Sequence, residues 1–138
     1  NRIAIDIPLK PVYDAQKGGL VAEYKFQSLK VYQLGLRYID QIYDITACLP
    51  SEEKFNLSSQ LIKSATSIIL TIAEGSTGQS NKEQIHFLKY SLRSYIETVA
   101  CLDLIQRRDY LLENDLAEAR STGKTLFYWI LNFQKGLR

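Results

Sequence analysis

The sequence predicts an all-α protein, an up-down-up-down antiparallel four-helix bundle with an extended N-terminal arm. Two observations favour this fold. From about Phe26 onward, apolar side chains recur at alternating steps of three and four residues, which is the period of an amphipathic helix. The helical segments are each about 20 residues long and are joined by short connections, and helices joined in this way pack as antiparallel neighbours.

Four helices are predicted, with the approximate limits 29–48, 56–74, 80–108 and 114–136. Pro50 follows the first helix and ends it, because the residue before a proline avoids helical backbone angles. Gly123 lies inside the fourth helix, where glycine costs about 1 kcal/mol relative to alanine. We therefore expect a neighbouring backbone to approach Gly123 closely.

Residues with known preferences for helix ends support these limits. Ser28 and Asn56 are suitable N-caps for the first and second helices. Ser80 and Glu83 form the pattern of a capping box at the start of the third helix. Gly75 stands where the second helix would end in a left-handed residue.

Residues 1–24 are expected to form the arm and residues 25–138 the bundle. Four apolar side chains of the arm alternate with other residues at the period of a strand: Ile3, Ile5, Ile7 and Leu9. Pro8 interrupts the run, which restricts it to an edge strand or an extended segment. The segment would lie on the bundle, pair with another chain or stay loose, and a vector-derived origin is an alternative.

The composition is that of one soluble domain, with 138 residues, 46% apolar and 23% charged side chains, and a formal net charge of +2. A core of this size can form without metal ions or disulfides. No apolar run is long enough to cross a membrane, so no membrane partner is expected. Two cysteines, Cys48 and Cys101, do not make a disulfide framework, which favours a reduced, cytoplasmic location.

The first and fourth helices carry more apolar surface than one bundle buries. The first has two apolar stripes, and the fourth is apolar on every side between Leu126 and Leu131. Exposed together, such side chains form a patch of the kind that marks interaction sites, although single surface aromatics are normal. We therefore predict a homo-oligomer or a covering by the arm. The residues expected at an interface between copies are Tyr128, Trp129, Leu131, Tyr38 and Ile45.

The sequence does not predict an enzyme, a cofactor or a metal site. His86 is the only histidine, and its spacing from the cysteines is unlike that of metal ligands. The loop of residues 75–78 lacks the Lys-Ser/Thr pair of a phosphate-binding loop. An enzyme would require a pocket that gathers Glu74, Glu97 and His86 from different helices.

A line of positive charge along the third helix, here called the basic stripe, is the strongest indication of a nucleic-acid partner. Its members are spaced so that they share one helix face: Lys82, His86, Lys89 and Arg93. Arg107 and Arg108 extend the positive charge at the far end. Such a stripe can neutralise phosphates of RNA or DNA. The alternative is a solvated bundle face, since nucleic-acid-binding domains usually carry a larger charge excess.

Four residues are interpreted as structural rather than catalytic: Glu74, Gly75, Ser94 and Glu97. Glu74 stands in the last turn of a helix, where the macrodipole disfavours a carboxylate by about 0.3–1 kcal/mol. A carboxylate near the core edge also needs a hydrogen-bond donor. We expect Glu74 to have a partner such as a lysine or arginine of a neighbouring helix or subunit, and Ser94 and Glu97 to fix the register of the helices.

The same residues belong to motifs that carry a family resemblance. The motifs are Leu49-Pro50 with Glu53, then Phe55, Leu57 and Gln60, then Ala65 and Ser67-Ile68, then Ile72-Ala73-Glu74-Gly75, then Ser80, Glu83 and Phe87-Leu88, and finally Ser94 and Glu97. With them, the sequence from Phe26 to about Phe133 resembles the four-helix bundle proteins of the 23S ribosomal RNA intervening-sequence family, also called S23-type proteins. It departs from the family at Thr71, where asparagine is usual, and at Arg93, where glycine is common.

The resemblance implies a small bacterial protein that assembles as a ring-like homopentamer of bundles. A related bundle is the accessory protein of diversity-generating retroelements, where it binds a reverse transcriptase and nucleic acid. The resemblance therefore implies RNA, DNA or a reverse transcriptase as a partner. The family usually has basic residues in the loop after Gly75, and residues 76–79 lack them.

Overall fold

A computed structural model describes residues 24–77 and 80–138 and confirms the all-α prediction. Four helices follow one another: α1 Lys30–Ala47, α2 Leu57–Gly75, α3 Asn81–Arg107 and α4 Glu113–Gly136. Short 3₁₀ helices, Lys25–Ser28 and Ser51–Glu53, precede α1 and α2. The predicted arm, apart from Tyr24, lies outside the described residues.

The helices form an antiparallel bundle in which each helix contacts its neighbours in sequence and α4 closes against α1. At one end, the Tyr110 hydroxyl of the α3–α4 turn donates to Glu53 in the α1–α2 connection at 2.8 Å. At the other end, the Asn81 amide at the start of α3 donates to the Leu137 carbonyl after α4. In this arrangement α1 and α3 lie diagonally opposite each other and meet through the rings of Tyr38 and Tyr95, whose centroids are 6.3 Å apart.

Of the two apolar stripes of α1, one lies in the core and the other lies at its edge, where Tyr32 and Ile39 pack partly against the core. The core stripe is buried: Val31, Leu34, Tyr38, Ile42 and Ile45. Tyr38 and Ile45 are only 1% and 6% exposed within a single protomer, so the prediction that they lie between copies is wrong. The second stripe is partly or largely exposed: Tyr32, Leu36, Ile39 and Tyr43.

Close helix packing explains two glycines, in ways that differ from the predictions. Gly75 is the last residue of α2 and does not adopt the predicted left-handed conformation. A Cβ atom there would lie 2.8 Å from the Phe87 Cβ of α3. At Gly123 the neighbour is the Tyr38 ring, at 2.9 Å from an added Cβ, and not a backbone as predicted. Both glycines therefore make room for a side chain on the adjacent helix.

The helix caps follow the predictions in part. Ser28 belongs to the first 3₁₀ helix, and Leu29 takes the N-cap position of α1, so the predicted Ser28 cap is wrong. Asn56 does precede α2, but its side chain donates to Glu53 Oε1 instead of capping the helix. The Ser80 hydroxyl accepts the Glu83 N–H at 3.1 Å, which confirms that half of the predicted capping box.

Glu53 replaces Asn56 as the side chain that satisfies the first turn of α2. Its carboxylate accepts hydrogen bonds from the Tyr110 hydroxyl, the Asn56 amide and the Leu57 N–H. The bond from Tyr110 is the largest of the effects that lower the pKa of Glu53. Glu53 thus links the α1–α2 connection to the α3–α4 turn.

Asp109 allows the α3–α4 turn to present Tyr110 to Glu53. It is the one described residue other than glycine with a positive φ, at 61°. The Tyr110 N–H returns to the Ile105 carbonyl at 3.2 Å, and the Asp109 N–H to the Gln106 carbonyl at 3.0 Å. This is the hydrogen-bond pattern of a Schellman motif, with aspartate in the place usually taken by glycine.

Candidate interaction surfaces

A line of hydroxyl groups joins α2 to α3 and was not predicted. Three pairs meet across the interface: Ser64 with Thr98 at 2.8 Å, Ser67 with Ser94 at 3.0 Å, and Thr71 with Ser91 at 2.6 Å. These side chains are small, so they let the two helix backbones approach closely, and buried hydroxyls are stable only when they are hydrogen-bonded. The pairs fix the register of α2 against α3, a role expected for Ser94 but not for its partners.

The two predicted structural glutamates are placed differently from Ser94. Glu74 and Glu97 are exposed, and neither forms a hydrogen bond or ion pair with another described residue. The expectation that partners within the bundle hold them is therefore wrong. Water can solvate an exposed carboxylate, so neither residue needs a protein donor.

The described residues offer little for catalysis or for metal binding. Glu74, Glu97 and His86, the three residues considered for an enzyme site, are all exposed on helix surfaces. Within 24–77 and 80–138, no cluster of three or more His, Cys, Asp or Glu residues is arranged to hold a metal ion. Burial raises the pKa of the Cys101 thiol, which disfavours the reactive thiolate.

The basic stripe lies on the surface of α3, as the sequence indicated. Lys82, His86, Lys89 and Arg93 are all exposed. Tyr90 lies among them, with the Arg93 guanidinium 5.8 Å from its ring centroid and the His86 ring 4.9 Å away at its edge. The one ion pair among the described residues is Arg120–Asp103, so these cations have no carboxylate partner there.

The outer face of α3, defined by the basic stripe together with Ile96 and Leu104, is apolar in its second half. Ile96 and Leu104 are 57% and 50% exposed. Arg107 and Arg108 are also exposed, but Ile96 and Leu104 lie between these two arginines and the basic stripe. The structure brings together four of the six cations proposed for nucleic-acid binding and separates the other two.

The outer face of α1, defined by Tyr32, Leu36, Asp40, Tyr43 and Asp44, combines apolar and acidic side chains. Tyr43 is 53% exposed, and the two aspartates are also exposed. Leu36, Asp40 and Asp44 line a groove of about 490 Å³ between α1 and α4. Glu118 of α4 adds a third carboxylate to this groove, and Arg37 adds a cation.

The aromatic segment of α4 is less exposed than its composition suggested. Leu126 and Ile130 are core residues. Trp129 and Leu131 are half-buried, and Trp129 packs against the core of its own protomer. Tyr128 is 39% exposed. The expected patch formed jointly by Tyr128, Trp129 and Leu131 is therefore reduced, mainly to Tyr128.

Within residues 24–77 and 80–138, none of the helices is both long and apolar enough to span a lipid bilayer.

The family model of the 23S rRNA-intervening sequence protein matches residues 27–128, which extend from the 3₁₀ turn before α1 into the second half of α4. The chain belongs to this family. A crystal structure from Bacteroides thetaiotaomicron VPI-5482, described as a protein with unknown function from the S23 ribosomal protein family, is similar in fold. It is 25% identical in sequence with a TM-score of 0.70, and the match covers 76% of this chain and 98% of the other. No protein of curated function matches the chain.

The motifs of the 23S rRNA-intervening sequence family have structural roles in this bundle. Glu53 links the α1–α2 connection to the α3–α4 turn through its hydrogen bond with Tyr110. Gly75, at the end of α2, leaves space for the Phe87 side chain of α3. Ser94 belongs to the hydroxyl line, and Ser80 caps α3. These four motif residues therefore stabilise the connections, the start of α3 and the packing of α2 against α3.

Proposed function

We propose that this protein is a non-enzymatic, homo-oligomeric scaffold or adaptor that acts in the bacterial cytoplasm. The observation that carries the proposal is the second stripe of α1, in which the described residues leave Tyr43 53% exposed and Leu36 only partly buried, on a helix that already buries a complete core stripe. Apolar surface of this extent favours association in water. The family resemblance suggests five copies in the assembly.

Exposed apolar side chains elsewhere support association. The large hydrophobic residues exposed in the protomer are Tyr24, Tyr43, Phe55, Leu70, Tyr90, Ile96, Leu104, Leu112 and Tyr128. They lie on all four helices and on the connections, so a partner could cover only some of them. The residues of α1 and α3 are the best placed, because each lies on a long, regular helix face.

Tyr43→Glu is expected to dissociate the assembly without unfolding the protomer. Tyr43 is exposed, so a carboxylate there stays hydrated in the monomer and loses water only at an interface. The measurement is molar mass by light scattering at micromolar concentration. Leu112→Glu is the matched control, because Leu112 is also exposed but lies in the α3–α4 turn. A wild-type chain that remains a monomer would contradict the proposal.

Trp129→Glu is a poorer test of the same proposal. The Trp129 side chain packs against the core of its own protomer, so a charge there is expected to destabilise the fold as well as any interface. A lower molar mass of the Trp129→Glu variant would not distinguish loss of the interface from loss of the fold.

A second candidate function is that of a nucleic-acid-binding accessory protein, with a reverse transcriptase as a further partner. The observation that favours it is the basic stripe, whose cations are exposed and have no carboxylate partner among the described residues. An assembly would present several such stripes at once and so raise the effective concentration of contacts.

The triple variant Lys82→Glu, Lys89→Glu, Arg93→Glu is expected to abolish binding to structured RNA if this second function holds. Wild-type affinity should fall steeply as salt rises, because phosphate contacts release counterions. A control with the same charge change elsewhere is Lys54→Glu, Lys63→Glu, Lys124→Glu, since all three lysines are exposed. Equal loss in both triple variants, or affinity that does not depend on salt, would contradict a specific role of the stripe.

A further inference from the structure

We propose that the outer face of α1 in one protomer binds the outer face of α3 in a second copy of this chain. The inference rests on the proposed homo-oligomer and names the two surfaces that form its contact. It follows from two observations: the faces combine apolar side chains with charges of opposite sign, and they lie on opposite sides of the bundle.

The outer face of α1 supplies the acidic half of the contact. Asp40 and Asp44 are one helical turn apart and exposed, on either side of Tyr43 in sequence. Glu118 of α4 lies along the same groove. Arg37 is the one cation lining this groove, so three carboxylates face one guanidinium there. The groove is therefore negative, and Leu36 and Ile39 form its apolar lining.

The outer face of α3 supplies the basic half. Lys82, Lys89 and Arg93 are exposed, and none is paired with a described carboxylate. Ile96 and Leu104 continue the same helix face as exposed apolar residues. Glu97 and Asp103 are the carboxylates nearest to this second half in sequence, and Asp103 is bonded to Arg120. Positive charge thus dominates the first half of the face, and apolar surface the second.

The lengths of the two faces are compatible. α1 has 18 residues, which at the α-helical rise span about 27 Å. The stretch of α3 from Lys82 to Leu104 spans about 33 Å by the same rise. One face can therefore lie along the other, so that carboxylates meet cations and the apolar residues of both are covered in one contact.

The position of the faces decides the symmetry of the assembly. Because α1 and α3 are diagonal in the bundle, one protomer can use α1 toward one neighbour and α3 toward another. Such a head-to-tail contact repeats and closes into a ring when the rotation between copies allows it. A two-fold dimer through either face would instead place like charges together, which is unfavourable.

A second copy covers more of this surface than a nucleic acid would. Phosphates could pair with Lys82, Lys89 and Arg93, but they would leave Ile96, Leu104 and Tyr43 in water. Contact between copies removes both apolar surfaces at once and neutralises both charged ones. The observations therefore favour a second copy as the occupant of the basic stripe.

Charge reversal of each face separately tests the proposal. Variant one carries Asp40→Lys and Asp44→Lys, and variant two carries Lys89→Glu and Arg93→Glu; all four residues are exposed, so the fold is expected to persist. Each variant alone has faces of the same sign and should associate at least tenfold more weakly than the wild type. Mixed in equal amounts, the two variants should assemble together, because one is positive and the other negative on both faces.

Molar mass by light scattering, with an affinity tag on one variant to show co-assembly, gives the result, and circular dichroism confirms that each variant is folded. Lys124→Glu with Lys135→Glu is the matched control and should assemble like the wild type, because both lysines are exposed on α4 and belong to neither face. If the wild type assembles but either variant keeps the wild-type mass, or if the mixture does not associate, this pairing of faces is wrong while the oligomer stands. A monomeric wild type overturns both proposals. If both variants assemble and only variant two loses RNA binding, the stripe belongs to nucleic acid and the pairing is also wrong.

Discussion

Gly75→Ala is expected to lower the free energy of unfolding by about 2 kcal/mol, because the new methyl group overpacks the α2–α3 contact. An added Cβ would lie 2.8 Å from the Phe87 Cβ and 3.5 Å from the Gln84 carbonyl oxygen. The Phe87 Cβ is attached directly to the α3 backbone and cannot rotate away, so the helices themselves must shift. This strain exceeds the gain of about 1 kcal/mol from replacing a helical glycine with alanine.

Urea unfolding at one fixed protein concentration measures this effect, since an assembly makes the apparent stability depend on concentration. Gly136→Ala is the matched control. Gly136 is also the last residue of a helix, and an added Cβ there meets no atom within 4 Å. The control should be neutral or slightly stabilised. If the two variants unfolded at the same urea concentration, the close approach of Phe87 would not limit this position.

Gly123→Ala is expected to destabilise the bundle by a similar amount, about 2 kcal/mol, through a clash with the Tyr38 ring. The added Cβ would lie 2.9 Å from three atoms at the hydroxyl end of that ring. Tyr38 is almost fully buried, which raises the pKa of its phenol and leaves the ring no open space. In a double-mutant cycle with Tyr38→Leu, the two substitutions should cost less together than the sum of their separate effects.

The control for this cycle is Tyr38→Phe. The Tyr38 hydroxyl is buried and has no hydrogen-bond partner among the described residues. Removing it should leave stability unchanged or raise it by about 1 kcal/mol, because the desolvation cost of the hydroxyl disappears. Strictly additive effects of Gly123→Ala and Tyr38→Leu would show that the ring is not what excludes a side chain at Gly123.

The sequence predicts the helices well because their apolar periodicity is long and regular. It predicts the ends less well, since Ser28 and Asn56 have the right chemistry for caps but Glu53 reaches α2 from a preceding 3₁₀ helix. The Glu53 carboxylate accepts hydrogen bonds both from the Leu57 N–H and from the hydroxyl of Tyr110, which lies 57 residues after Glu53. No local sequence pattern indicates the second bond. Such contacts depend on the tertiary fold.

The sequence does not decide which stripe of α1 faces the core. Both stripes are apolar and adjacent, so periodicity alone does not separate core residues such as Tyr38 and Ile45 from exposed ones. One signal does separate them. The exposed stripe runs beside Asp40 and Asp44, whose charges favour water, whereas the core stripe has no charged member. The charged residues beside each stripe therefore indicate which stripe of α1 faces the core.

The hydroxyl line also had a signal in the sequence. Ser64, Ser67 and Thr71 are spaced by three and four residues, and Ser91, Ser94 and Thr98 repeat that spacing on the next helix. Hydroxyl residues that recur with the period of the core on two consecutive helices indicate a polar contact between them. Which hydroxyl meets which could not be predicted, because the pairing depends on the length and geometry of the loop between α2 and α3.

The hydroxyl line makes sliding between α2 and α3 an all-or-none event. A displacement of less than one helical turn would break Ser64–Thr98, Ser67–Ser94 and Thr71–Ser91 together. Ser67 and Ser94 would then lack a partner, and the other four hydroxyls would keep only bonds to carbonyls of their own helices. These two helices are therefore the part of the molecule in which amide protons should exchange most slowly with solvent. If the bundle changes shape when another molecule binds, we expect α1 and α4 to move relative to α2 and α3.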